Sequence, residues 1–403
     1  MDVCNAFLYG KIDSDVYMSL LQDFNLKTNE VCKLKKTLYG LKGSPKGWNN
    51  RFHGVMIEQG FIRSEYDYCL YVRTTKLGKI FILLYVDNLL LAGTDKQEVL
   101  EVKSVLNRCF KMKDFGNVKH FLGIVIEQKL EEGEIILNQS KSLERIITKY
   151  NMDNCKAVST PMEVNFKHET LKREKSESEE LEHRCRQLIG TLMYVMLCTR
   201  PDLCNSISIL SRYQSCASED LWRALKRVLR YIKGTINLSL IFKRNSIIED
   251  CIVGYVDSAG DNLDRRSTAG YIFKVLDCLI SWSSKKQPTV ALSSAEAEYA
   301  AMSIAASEAC WLRFLFKDFM VKKEFVCVKL YEDNQSAIRV SKNPEFHKRL
   351  KHVDIKYHFI REKIKENIID VTYISTNDQI ADILTKPLGK SKFNKLRELM
   401  GLF

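Results

Sequence analysis

Apolar positions in this chain change their spacing along its length, and the changes divide it into segments. Residues 81–92, Phe-Ile-Leu-Leu-Tyr-Val-Asp-Asn-Leu-Leu-Leu-Ala, are two apolar runs joined by a carboxylate and a carboxamide, which predicts a β-hairpin with Asp87 at its tip. Taken alone, an Asp-Asn pair at such a tip satisfies local backbone groups and needs no further role. From Met1 to about Glu127, short strand-like runs alternate with helical ones. From Gln128 to about Lys243 the pattern becomes helical, and Leu143, Ile146, Ile147 and Tyr150 form one apolar stripe. A charged stretch at 167–182 reads as an exposed linker. Residues 221–231 read as a basic amphipathic helix that either lies along a nucleic-acid backbone or forms a solvated outer face.

Beyond Cys251 the texture changes again. Segments 252–256, 270–275 and 279–283 read as successive strands, after which Ser293-Ser294-Ala295 caps a long Ala-rich helix reaching about Phe319, with Glu296 in its first turn. A fourth strand, 326–331, leads to Asp333, and a fifth, 368–374, precedes a last helix near Asp378. The predicted units are 1–127, 128–243, 250–388 and a C-terminal tail, 389–403.

Composition narrows the function classes. The 403 residues are too many for one core, and 45% hydrophobic with 28% charged residues is globular usage. Lys and Arg number 62 against 50 Asp and Glu, a net +12, which favours a polyanionic partner because neutralised phosphates release counterions. Thirteen cysteines without a Cys-x-x-Cys pair argue for reduced thiols and against a disulfide framework or zinc knuckle. No apolar run has the length of a membrane span and no signal sequence opens the chain, so the expectation is a soluble, intracellular protein of the cytoplasm or nucleus, with no membrane partner.

Tyr85-Val86-Asp87-Asn88 resembles the Tyr-x-Asp-Asp box of reverse transcriptases, with Asn88 in place of the second aspartate. The wider resemblance is to the Pol polyprotein of copia-type retrotransposons. It is carried in order by 1–10, by 31–42 followed by Gly43-Ser44-Pro45-Lys46 and Trp48, and by 112–116, 121–124, 159–162, 190–194, 199–202, 292–299 and 381–387. It implies a multidomain mixed α/β (α+β) chain: a truncated reverse-transcriptase palm and a helical thumb or connection, followed by a ribonuclease H-like five-stranded mixed sheet with flanking helices. The element order beyond Cys251 is that of a ribonuclease H fold.

The resemblance also implies two magnesium sites, with manganese as a substitute. In the palm, Asp2 and Asp87 would hold two Mg²⁺ ions. Asn88 removes a charge there, Gly43 stands where the family has glutamine, and the family's fingers lie upstream of Met1, so polymerase activity is expected to be lost or impaired. In the ribonuclease H part, Asp257, Glu296, Asp333 and Asp382 would hold two Mg²⁺ ions, because two-ion phosphodiester hydrolysis needs several carboxylates converging on one spot. Glu298 leaves the register of the helix acid open. Asp261 is the fallback for Asp257, since the segment before Arg265-Arg266-Ser267-Thr268 is shorter than in the family. His347, His352 and His358, with Arg349, Lys351 and Lys356, are assigned to hybrid contact or helix surface. The implied partners are RNA–DNA hybrid, RNA template, DNA and other Pol copies. Two alternatives stand beside this reading: a catalytically silent nucleic-acid-binding relic, and an unrelated two-metal nuclease of the same fold.

Overall fold

The computed structural model describes residues 1–19, 31–172, 175–244, 251–261, 263–319, 327–342 and 354–403, apart from the side chains of 354–358. The chain divides into two units, one of Met1–Val118 with the stretch that begins at Phe314, the other holding Lys119–Arg313 and the C-terminal part.

In the first unit the elements are β1 (Asp2–Val3), β2 (Tyr17–Ser19), β3 (Val31–Lys33), α1 (Ser44–Glu58), β4 (Ile62–Arg63), β5 (Leu70–Thr74), β6 (Lys79–Tyr85), β7 (Asn88–Gly93), α2 (Lys96–Cys109) and β8 (Met112–Lys113). Six of the strands form one sheet in the order β4-β5-β6-β7-β1-β8. Alternation in β6 buries Ile80, Ile82 and Leu84 on one face, as a half-buried strand requires. Pro45 opens α1, whose Trp48, Phe52, Val55 and Met56 repeat at helical spacing and enter the same core. Asp95 caps α2 by accepting the Glu98 N–H at 2.9 Å. The predicted hairpin is β6 and β7, paired from Ile80–Gly93 to Tyr85–Asn88.

The second unit opens with β9 (His120–Phe121), β10 (Ile124–Lys129), β11 (Glu134–Asn138), α3 (Ser140–Lys149), α4 (Glu179–Cys198), α5 (Cys204–Ser211), α6 (Glu219–Lys233) and β12 (Leu240–Lys243). The helical pattern predicted from Gln128 therefore starts late. Residues 124–138 are a hairpin inside a four-stranded sheet of order β12-β11-β10-β9, turned at Gly133, whose φ of +69° suits glycine. Leu143, Ile146 and Ile147 of α3 are buried, as their spacing requires. The basic helix is α6, and three of its cations bond within the chain. Arg227 pairs with Glu163 at 2.8 Å, while Arg230 and Lys233 donate to the carbonyls of Lys156 and Cys155, each at 2.7 Å. The charged stretch at 167–182 is tied down where it is described, through buried Leu171 and through His168, which lies 2.7 Å from the Tyr213 hydroxyl.

Then follow β13 (Ile252–Ala259), β14 (Thr268–Val275), β15 (Cys278–Lys286), α7 (Ser294–Phe319), β16 (Val328–Glu332), α8 (Gln335–Lys342), α9 (Asp354–Lys365), β17 (Ile369–Tyr373), α10 (Asp382–Thr385) and α11 (Lys390–Leu399). The five strands order as β15-β14-β13-β16-β17; β13, β14 and β15 are an antiparallel meander, and β16 and β17 run parallel to β13. This is the ribonuclease H-like mixed sheet. Ser293 caps α7 by accepting the Glu296 N–H at 3.2 Å, and buried Ala297, Ala300, Ala301, Ala305, Ala306 and Ala309 line the helix with small side chains. Residues 389–403 are more than a trailing segment, because Phe393 and Leu396 of α11 with Met400 and Leu402 join the core built by α3 to α6. No helix among the described residues is long and apolar enough to cross a membrane.

Candidate active site

Parallel pairing of β13 with β16 sets Tyr255 beside Tyr331, so two residues further on Asp257 and Asp333 emerge at the same end of the sheet. α7 brings Glu298 to that end. One carboxylate oxygen each from Asp257, Glu298 and Asp333 lie within 4.8 Å of one another, a spacing one cation can span. Asp257 and Glu298 are buried, and Oε2 of Glu298 has no hydrogen-bond partner. Burial, together with the charges of Glu332, Asp257 and Asp333, pushes the Glu298 carboxyl up to about 10. Burial also raises Asp257, to about 7, against the opposing pull of Lys386. Three clustered carboxylates, one of them buried with an unpartnered oxygen, are a donor set that fits a hard divalent cation.

The glutamate of α7 that joins this group is Glu298; Glu296, the expected one, is not among the three. Two residues along an α-helix is a rotation of about 200°, so the two glutamates point to opposite sides. Glu296 turns back to the start of α7, where its carboxylate accepts the Leu292 N–H at 2.7 Å. Its work is that of a cap.

Asp382 reaches the site from the other direction. Gly270, opposite Asp257 in β14, would place a Cβ 2.6 Å from Thr385 Cγ2, so the missing side chain is what lets α10 lie on the sheet. Thr385 donates to Asp257, and Asp382, fully buried, is paired with Lys392 and, at 2.8 Å, with Lys386. The same Lys386 ammonium lies 3.6 Å from Asp257 Oδ1. Asp382 thus stands next to the three-carboxylate group, joined to it through a lysine.

Asp261 is committed elsewhere. It accepts from Lys286 at 2.9 Å, from Arg212 at 3.1 Å and from the Leu263 N–H at 2.9 Å, with His168 Nε2 at 3.5 Å. His347, Arg349, Lys351 and His352 lie outside the described residues, as do the side chains of Lys356 and His358. Sequence reasoning missed Thr385, Lys386, Lys392 and Glu332. Glu332 is fully buried, accepts the Asn334 N–H at 2.9 Å through Oε1 and leaves Oε2 without a partner. Its position could have been read from the strand alternation Val328, Leu330, Glu332, all inward.

In the first unit, β1 sits between β7 and β8 and sets Asp2 directly across from Asn88. The Asn88 carboxamide donates to Asp87 Oδ1 at 3.1 Å. At the tip Val86 has φ +57°, a left-handed conformation that a β-branched residue takes only at a cost of about 1–3 kcal/mol. The Trp48 indole, donating to Val86 O at 2.6 Å, and the Val3 N–H, donating to Asp87 O at 2.8 Å, hold it there. Gly43, just before α1, has open space where a side chain would stand.

A sheet with a strained acidic hairpin lies in one unit and a ribonuclease H-like sheet with clustered acids in the other, a pairing that fits the retroelement class of proteins. The reverse transcriptase (RNA-dependent DNA polymerase) family matches residues 1–164. The Pol polyprotein of transposon TNT 1-94 from Nicotiana tabacum is 38% identical over all of this chain and 30% of its own length, and that of transposon RE1 from Arabidopsis thaliana is 36% identical over all of this chain and 27% of its own. A putative transposon Ty5-1 protein of Saccharomyces cerevisiae is 30% identical over 76% of this chain and 98% of its own length. The chain belongs to the copia-type retrotransposon Pol polyproteins. It spans 30% or less of the two plant polyproteins.

Proposed function

We propose that the second unit is a ribonuclease H that hydrolyses the RNA strand of RNA–DNA hybrids with magnesium, manganese substituting, at Asp257, Glu298, Asp333 and Asp382. The observation that carries the reading is the three-carboxylate group with the buried, unpartnered Glu298 oxygen. When bound, a cation pair supplies an acidified water and stabilises the leaving 3′ oxygen. The protein's part is to hold the ligands. β13 and β16 fix Asp257 and Asp333 by register, α7 fixes Glu298 by helix phase, and Thr385 orients Asp257 by hydrogen bond. Net charge of +12 supports a polyanionic partner. Thirteen cysteines without a disulfide among the described residues suit the cytoplasm or nucleus.

The test is cleavage of a labelled RNA–DNA hybrid in Mg²⁺ by the parent chain and by Asp333→Asn. Cutting by the parent alone supports the reading. Hybrid binding that survives EDTA, without cutting in Mg²⁺, makes the chain a silent nucleic-acid-binding relic.

For the palm, we infer that RNA-directed DNA polymerisation is impaired. Asn88 offers Asp2 a neutral neighbour and spends its N–H on Asp87, so the hairpin presents one carboxylate where the family presents two. Robust primer extension by the parent on an RNA template would overturn this.

A further inference from the structure

We propose that Lys386 is a resident counter-ion occupying the place between Asp257 and Asp382 that a second divalent cation takes, so that the site fills in a fixed order. The first cation enters the three-carboxylate group of Asp257, Glu298 and Asp333 without displacing a lysine. The second binds Asp257 and Asp382 only by displacing the Lys386 ammonium. The proposal rests on the ribonuclease H reading of the same site.

Three observations carry it. The Lys386 Nζ lies 2.8 Å from Asp382 Oδ1 and 3.6 Å from Asp257 Oδ1, so one ammonium spans two acids from different elements. On the other side, Glu298 Oε2 has no hydrogen-bond partner and no cation beside it among the described residues, whereas Asp382 Oδ1, also without a hydrogen bond, has the Lys386 ammonium as its ion pair. Lys386 is about one-third exposed (36%), and its four-carbon stem lets the ammonium withdraw into water. Lys392 is a different kind of partner. It bonds Asp382 and also the Thr376 carbonyl at 3.0 Å, without reaching Asp257, and it keeps Asp382 oriented whether Lys386 is in place or displaced.

The experiment is a calorimetric Mn²⁺ titration of the full chain, its Lys386→Met and Lys386→Arg variants and Asp333→Asn, without nucleic acid. In parallel, acylation of individual lysines is followed by peptide mass spectrometry in EDTA and in saturating Mn²⁺. The parent should show one strong and one weak phase. Lys386→Met should tighten the weak phase about tenfold or more and leave the strong one nearly unchanged, while Lys386→Arg keeps the parent's pattern. In the parent, Lys386 should acylate several-fold faster with Mn²⁺ than in EDTA, with Lys392 unchanged. A weak phase identical in parent and Lys386→Met, or Lys386 labelling indifferent to Mn²⁺, overturns the proposal and leaves the three-carboxylate site standing. A parent with no strong phase, indistinguishable from Asp333→Asn, removes that site and the proposal with it.

Discussion

Replacing Glu298 by glutamine should stabilise the metal-free protein at alkaline pH while abolishing its stabilisation by Mg²⁺. Burial and the neighbouring acids lift this carboxyl from 4.5 to about 10, so the folded state keeps a proton that the unfolded chain releases. The folded state binds more protons across that window, and stability therefore falls as pH rises through it. At pH 8 a single isolated group with this shift would lose about 5 kcal/mol, and sharing the shift with Asp257 and Glu332 reduces the figure to about 2 kcal/mol. Glutamine has no proton to lose, so Glu298→Gln should match the parent near pH 5 and exceed it at pH 8 by roughly 4 °C or more in Tm.

Thermal melts in EDTA and in Mg²⁺ at both pH values are the assay, with Glu296→Gln as comparison. That variant keeps an amide oxygen that can accept the Leu292 N–H, so its stability should change by no more than about 0.5 kcal/mol at either pH and its response to Mg²⁺ should remain. A Glu298→Gln gain that is the same at pH 5 and pH 8, or a Mg²⁺ response lost in Glu296→Gln and retained in Glu298→Gln, would refute the assignment.

Four further outcomes are expected. Arg200→Met strands the fully buried Asp202 and should cost about 3–5 kcal/mol in urea unfolding. Gly270→Ala forces α10 off β14, and should both destabilise by about 1–3 kcal/mol and weaken Mn²⁺ binding, read by melts and calorimetry on one sample. Trp48→Phe deletes the indole donor that holds the Val86 carbonyl and should cost about 1–2 kcal/mol, measured in the first unit's unfolding transition. Asn88→Asp returns a carboxylate opposite Asp2, and should add a Mn²⁺-binding step to the titration that the parent lacks.

The order of strands and helices beyond Cys251 was legible in the sequence, because each strand's apolar alternation and the Ser293 cap are local signals. The placing of Asp333 just beyond its strand was legible too, while Asp257 lies inside β13, which runs on to Ala259 past the end that the apolar pattern predicted. The choice between Glu296 and Glu298 was not legible. Helix geometry says that the two acids diverge, but which faces the sheet depends on how α7 lies on it, a long-range fact. The hairpin at 124–138 was missed because its short alternation adjoins a strong helical stripe. Lys386 and Lys392 escaped notice because a lysine in a polar tail carries no sign of the buried carboxylate it will meet. The cations of α6 looked available for nucleic acid until the carbonyls of Lys156 and Cys155 came into reach.

Two of the buried charged clusters among the described residues of the second unit make opposite use of the same chemistry. At Arg200 each guanidinium nitrogen has a partner. Nε and Nη2 donate to Asp202 at 2.9 and 2.8 Å, Nη1 donates to the Thr235 carbonyl at 3.0 Å, and the Tyr231 hydroxyl closes the network on Asp202 at 2.6 Å. This fold can therefore satisfy a buried charge completely. At Glu298 and Glu332 it does not, and each keeps an oxygen without a partner beside further acids. Unpaired buried carboxylates lower stability, and a core free of other demands would have replaced them with apolar side chains. Their persistence at the end of β13 and β16, where register also delivers Asp257 and Asp333, is accounted for if the missing partner is a cation from solution. On that view the weakness of the apoprotein at alkaline pH and its capacity to bind metal are one property, and Glu298→Gln should remove both together.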